Sequence, residues 1–166
     1  MTDLLGVFDN ATRCLRPWHT EVYDVLMSLA SVHGGRGQHT QQLTRLRQAL
    51  SVSHRRHMAF GDPLRVEVLI EILKAMTAHM VAGKASHDDV LALGRQMALY
   101  TGGFPVLHLC IALTLALRGH TASTVFHLGA YRRAGGGAIV HNTEEQCWLD
   151  RVTACLRDKG IPRSPR

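Results

Sequence analysis

Histidine and cysteine are the side chains in this sequence that could bind a metal ion. His108 and Cys110 lie in its most apolar stretch, 102-GGFPVLHLCIALTLALRGHT-121. Two residues apart on a helix, they point in different directions. His141, Cys147 and Cys155 near the C-terminus match no ordinary structural zinc spacing. We therefore expect a buried histidine bonded to a backbone carbonyl and a small apolar cysteine, with no metal and no cofactor.

Catalytic chemistry has less support in the sequence. The acidic residues are scattered, and the pairs Asp88-Asp89 and Glu144-Glu145 lie where helix N-termini favour negative charge. The glycine-rich stretches 34-GGRG-37 and 135-GGG-137 follow no strand and are typical helix ends rather than phosphate loops. A nucleophile and a base that are distant in the sequence could still meet in the folded chain, so a catalytic pair of this kind stays an alternative. We expect no catalytic residue, no enzymatic activity and no small-molecule substrate.

Basic residues form the clearest candidate site. Arg45 and Arg47 lie off the apolar stripe of their helix and should face outward, whereas Arg132 and Arg133 end a later helix. Arginine matches phosphate geometry, so these residues predict a surface for lipid headgroups or an RNA backbone. The alternative is a solvated face with cations near helix C-termini. The predicted polyanion-binding set is Arg45, Arg47, His54, Arg55, Arg56, His57, Arg132 and Arg133.

The 11 histidines suggest a response to pH. An unperturbed imidazole titrates near pH 6.5, so a histidine-rich surface gains positive charge between pH 7 and 5. Packed subunits would then repel one another, and an assembly would become pH-switchable. The predicted pH-sensing residues are His54, His57, His120 and His127.

The composition favours a helical fold. The chain has 166 residues, a net charge of +6, 46% hydrophobic residues and only 5% aromatic residues, so its core must use leucine, valine, alanine and methionine. The acidic opening 1-MTDLLGVFDN-10 does not resemble a secretory signal. Four widely spaced cysteines favour a reducing compartment over a disulfide framework. We expect a chain that is not secreted.

Helix start and stop residues recur along the whole sequence, and strand alternation is nearly absent. Asp62-Pro63 is a strong start signal, because Asp can cap and Pro fits the first helical position. We expect a helix over 2–14, one from Pro17 to the 34-GGRG-37 turn, one capped by Thr40, one over 62–82, one opened by Ser86 and Asp89, one over about 104–118, one capped by Thr121 or Ser123 and ending near Arg133, and one from Thr143 towards Gly160.

The apolar stretch decides the architecture. Only 14 residues separate Gly103 from Arg118, which is about 21 Å of helix, whereas a bilayer needs about 20 apolar residues. An apolar helix this short is surrounded by other helices. We therefore predict an all-α, compact bundle of eight to nine short helices around a buried central helix at about 104–118. Residues 1–160 would form one domain, either whole or as sub-bundles of about 1–60 and 61–160, with a flexible tail at 161–166.

Several stretches of the chain resemble the N-terminal helical domain of orthomyxovirus (influenza-like) matrix proteins. They are, in chain order, 1-MTDLLGVF-8, 21-EVYDVLMSLASVHGGRGQHTQQL-43, 61-GDPLRVEVLIEILKAM-76 and 95-RQMALYTGGFPVLHLCIALTLALRGHTASTV-125. The last is the strongest, since its small-residue break, apolar helix and Gly-Thr turn follow the family's order. The pattern departs from the family at the long helix after GDP, which carries only Arg65 and Lys74 where the family is basic.

The resemblance implies a structural viral protein. Such a protein would self-associate as a homo-oligomer, coat an anionic membrane peripherally on the inner face of the virion envelope, and contact viral ribonucleoprotein or the RNA backbone. In the host it would occur in the cytoplasm or nucleus and at the membrane periphery, with no transmembrane segment. Two alternatives remain: a helical RNA- or nucleocapsid-binding module, and a helical adaptor domain that binds a partner peptide.

Overall fold

A computed structural model describes Gly6 and residues 20–55, 62–99, 104–136 and 143–160. These ranges contain seven α-helices joined by turns, and no strand occurs in them, which confirms the predicted all-α class. Apart from Gly6, which is helical, the expected helix over 2–14 lies outside the described residues, as does the start at Pro17. The helices are α1 (Thr20–Gly35), α2 (His39–Arg55), α3 (Pro63–Val81), α4 (His87–Ala98), α5 (Pro105–Leu117), α6 (Thr121–Arg133) and α7 (Thr143–Arg157).

Local capping chemistry sets several helix boundaries where the sequence predicts them. The Asp62 carboxylate accepts a hydrogen bond from the Leu64 N–H, with Pro63 in the first turn of α3. Ser86 accepts from the Asp88 N–H at the start of α4. The glycines after α3, α5 and α6 have positive φ, as at Gly119 (φ 80°), where glycine avoids a steric cost.

Two predicted caps are wrong. Helix α2 begins at His39, so Thr40 lies inside it. Helix α6 has His120 at its N-cap position without a side-chain cap bond, so neither Thr121 nor Ser123 caps it. In both places backbone hydrogen bonds close the turn before the helix, so no side-chain cap is needed there. Before α6, the His120 N–H donates to the Leu115 carbonyl oxygen.

The chain divides into two compact units, residues 1–82 and 83–166. In the first unit α1 packs on α2, and α2 packs on α3. The Tyr23 hydroxyl donates to the Leu64 carbonyl oxygen at 2.9 Å, which ties α1 to the first turn of α3. The turn from α1 to α2 is closed by N–H groups of Arg36 and Gln38 that donate to the His33 carbonyl. Large core residues of this unit are Leu26, Leu29, Leu46, Val68 and Leu73.

In the second unit α5 contacts α4, α6 and α7. The buried threonine of α5, Thr114, donates its hydroxyl hydrogen to the Cys110 carbonyl at 2.8 Å, so its polar atom is satisfied inside the core. Leu107, Leu109, Cys110, Ile111, Ala112, Leu113, Thr114, Leu115 and Ala116 are all buried. No helix within the described ranges is both long and apolar enough to span a bilayer.

Candidate polyanion-binding surface

Acidic residues are unevenly distributed along the chain. No Asp or Glu occurs between Asp24 and Asp62, or between Asp89 and Glu144. The first acid-free segment is residues 25–61 and has five arginines; the second is residues 90–143 and has four. Each also holds four histidines. All predicted polyanion-binding residues fall in these segments. The absence of acidic residues is visible in the sequence and marks both segments, whereas individual motifs do not show it.

In the first unit, the described residues of the predicted polyanion-binding set lie on helix α2. Arg47 and His54 are exposed and lie seven residues apart, which places them on one side of the helix two turns apart. Arg45 is partly buried and donates to the Gln48 side chain at 3.1 Å, so it does not share their exposure. The Arg55 side chain, Arg56 and His57 lie outside the described residues.

His54 is in contact with a cation from the next helix. The Arg65 guanidinium of α3 lies 3.3 Å from His54 Nε2, with geometry in which the guanidinium donates and the imidazole accepts. This bond requires a neutral imidazole, because a protonated ring has no acceptor nitrogen. Protonation of His54 would therefore break this bond and place two cations side by side.

In the second unit, two of the four arginines of the second acid-free segment lie on helix α6. Arg132 and Arg133 are both exposed in its last turn, where they also complement the helix dipole. A Cβ built on Gly129 would lie 3.3 Å from Arg133 Nη1, so this guanidinium lies over the helix surface one turn back from its own Cα. Two exposed apolar side chains, Val125 and Phe126, belong to the same helix.

The predicted pH-sensing residues in this unit have different surroundings. His120 is exposed at the start of α6. His127 is partly buried, and its Nδ1 lies 3.2 Å from His108 Nδ1 of α5. Burial lowers the pKa of His127, with further lowering from nearby His108 and from the Arg95 cation of α4. His108, expected to bond a backbone carbonyl, thus forms a histidine pair that sequence spacing did not suggest.

The cysteines considered as metal ligands differ in burial, and His141 lies outside the described residues. Cys110 is buried, Cys147 is exposed and Cys155 is partly exposed, and none of these three forms a disulfide. Within the described ranges, no three His, Cys, Asp or Glu side chains come close enough to hold a metal ion.

A cleft of about 470 Å³ lies among the helices of the first unit. Its polar lining includes Glu67, Glu71 and Lys74, and the last two form a 2.9 Å ion pair. Because two carboxylates and one cation line it, the cleft is not suited to bind a polyanion.

The described arginines of the predicted set thus fall into two groups, one on α2 and one on α6, each within its own unit. The structure shows Arg47, His54, Arg132 and Arg133 exposed. Comparisons with protein-family models, with curated proteins and with solved structures found no match for this chain.

Proposed function

We propose that this chain is a matrix-type structural protein, similar in role to the orthomyxovirus matrix proteins that its sequence resembles. It binds an anionic membrane peripherally on the inner face of a virion envelope and associates with copies of itself. It bridges this layer to viral ribonucleoprotein through contacts that do not read base sequence. It has no catalytic role.

One observation carries the proposal: cations and acids are segregated along the chain, and the cations reach solvent. The exposed arginines Arg47, Arg132 and Arg133 belong to segments of 37 and 54 residues that contain no carboxylate. A surface of this kind attracts phosphate groups of lipids and nucleic acid without selecting a base sequence.

The affinity expected from such a surface suits a layer rather than a single molecule. A basic side chain near an anionic membrane contributes about 1 kcal/mol. The two exposed arginines of α6 would then contribute roughly 2 kcal/mol, which is weak for one copy. Many copies in one layer bind strongly through avidity, because each further contact is made at a high local concentration.

The finer architecture belongs to the same proposal. Residues 104–118 would form the central helix of a bundle of eight to nine helices. Protonation of surface histidines would loosen contacts between neighbouring copies at acidic pH, since each copy then gains positive charge. Size-exclusion chromatography that shows the same self-association at pH 7.4 and 5.5 would overturn this part.

The test is a direct comparison of membrane and RNA binding. The purified chain is sedimented with vesicles of phosphatidylserine and phosphatidylcholine, with vesicles of phosphatidylcholine alone, and with single-stranded RNA, each at low and high salt. Arg47→Glu is compared with Arg151→Glu, which reverses an exposed arginine beside Asp150 outside both acid-free segments. We expect salt-sensitive binding to anionic vesicles that Arg47→Glu weakens more than Arg151→Glu does.

Other results would lead to other functions. Binding to RNA with a steep salt dependence, but not to anionic vesicles, would reject the membrane role and support the nucleocapsid-binding module. No binding to either polyanion would reject both and leave the peptide-binding adaptor. Equal binding to neutral and anionic vesicles would contradict the electrostatic basis of the proposal.

A further inference from the structure

We infer that the exposed face of α6 is a membrane-docking surface, with Val125 and Phe126 entering the boundary between headgroups and acyl chains and Arg132 and Arg133 contacting lipid phosphates. This inference rests on the proposed function and assigns it to particular side chains. It concerns the second unit alone.

Helix α6 exposes large apolar side chains where a polar face is expected. Phe126 is 63% exposed and Val125 is 45% exposed, although both lie in the middle of a 13-residue helix. The opposite side of the helix is buried through Thr124, Leu128 and Tyr131, so α6 is already packed against its own unit. The two exposed side chains are neighbours in the sequence, and exposed apolar surface that is contiguous marks an interaction site.

The basic residues on the same face indicate that its partner is anionic. Helix α6 contains no acidic residue, and neither does α5, on which it packs. The Arg133 guanidinium lies over Gly129, which is three residues after Phe126 and therefore on the same side of the helix. Arginine pairs with lipid phosphates and apolar side chains enter the acyl boundary, so this face suits the surface of an anionic membrane.

A second copy of the chain fits this face less well. Two copies that met through α6 in a symmetric pair would bring the same arginines towards each other, since such an interface is self-complementary by symmetry. Neither α6 nor α5 supplies a carboxylate to offset them. An anionic lipid surface accepts both features, because its headgroups pair with arginine and its acyl region accepts phenylalanine.

The apolar contact is tested by placing a fluorescent tryptophan on the exposed face of α6. Phe126→Trp places an indole at the proposed contact, and Ala154→Trp places one at an exposed position of α7 as the control. Each spectrum is compared with that of the wild type, which contributes Trp18 and the buried Trp148. With phosphatidylserine-containing vesicles, we expect a blue shift and quenching by brominated acyl chains for the Phe126→Trp variant and neither change for the Ala154→Trp variant.

The charge contact is tested with two variants of equal net charge. Arg132→Gln/Arg133→Gln removes two arginines from α6, and Arg151→Gln/Arg157→Gln removes two exposed arginines from α7, one of them also in a last helical turn. A basic residue at an anionic surface contributes about fivefold in affinity. We expect the α6 variant to bind anionic vesicles about 30-fold more weakly than the wild type, and the α7 variant to stay within about fivefold.

The outcomes separate this inference from the proposed function. If the wild type binds anionic vesicles but the Phe126→Trp variant shows no shift and both double variants weaken equally, the α6 assignment is wrong and membrane binding stands. If the wild type binds no anionic vesicle, both fall. Circular dichroism of every variant establishes that the helical content is unchanged. A spectral shift in the Phe126→Trp variant, with selective loss of binding in the α6 double variant, supports the inference.

Discussion

The pair formed by His108 and His127 should make the stability of the second unit depend on pH. Their Nδ1 atoms are 3.2 Å apart, so one nitrogen donates and the other accepts. If both rings were protonated, two donors would face each other and two charges would lie about 5.5 Å apart, the distance between ring centroids. Their repulsion would be about 1 kcal/mol in a water-like medium and about 3 kcal/mol at an effective dielectric constant of about 20.

The direction in which stability changes with pH follows from the pKa of His127. Burial lowers this pKa most, and the neighbouring His108 and Arg95 lower it further. The unfolded chain takes up a proton at this residue as pH falls through 6.5, whereas the folded chain resists it. The stabilisation is therefore complete above pH 6.5 and is lost as pH falls below it. The loss cannot exceed about 1.4 kcal/mol per pH unit for one proton.

The perturbation is His127→Asn, which keeps a hydrogen-bonding group near the position of Nδ1 but does not titrate. The assay is urea unfolding of the wild type and the variant at pH 7.5 and 5.5. We expect the free energy of unfolding to fall less between these pH values in the variant than in the wild type. His120→Asn, at an exposed histidine, is the control and should behave as the wild type. Equal losses in the wild type and His127→Asn would refute the reasoning.

Two further predictions concern the fold. Leu113→Ala, at a residue of α5 with no exposed surface, should lower the free energy of unfolding by about 2–5 kcal/mol. As a control, Leu99→Ala at an 81% exposed residue should change it by less than about 0.5 kcal/mol. Equal losses in urea unfolding would contradict the buried position of α5. Asp62→Ala removes the cap bond to the Leu64 N–H and should cost about 1 kcal/mol, whereas Asp62→Asn should largely retain it; equal losses in both would show that the cap bond does not stabilise α3.

Helix boundaries were predictable where the signal is local. Asp62 and Pro63 start α3 because a cap needs only the residues next to it, and Gly119 ends the turn after α5 because only glycine adopts its positive φ without strain. Thr40 was misassigned because the turn before α2 is closed by backbone bonds to the His33 carbonyl, which a sequence pattern does not show. That turn lets α2 begin at His39.

The site was predictable in its charge but not in its geometry. Helical periodicity predicts that Arg45 and Arg47 both face outward. Arg47 is exposed as predicted, whereas Arg45 is partly buried because it lies closer to the buried side of α2. The contact between His108 and His127 joins residues 19 positions apart and depends on how α5 and α6 pack. The exposure of Phe126 depends on the same packing, because apolar residues occur on more than one side of α6.

The most direct test of the central claim is vesicle flotation as a function of membrane charge. The wild type is floated with phosphatidylcholine vesicles that contain increasing fractions of phosphatidylserine, at constant salt and pH 7.4. The exposed arginines of the acid-free segments predict that the bound fraction rises steeply with the phosphatidylserine content and falls when salt is added. A bound fraction that is negligible, or that does not change with membrane charge, would contradict the assignment of this chain as a peripheral matrix-type protein.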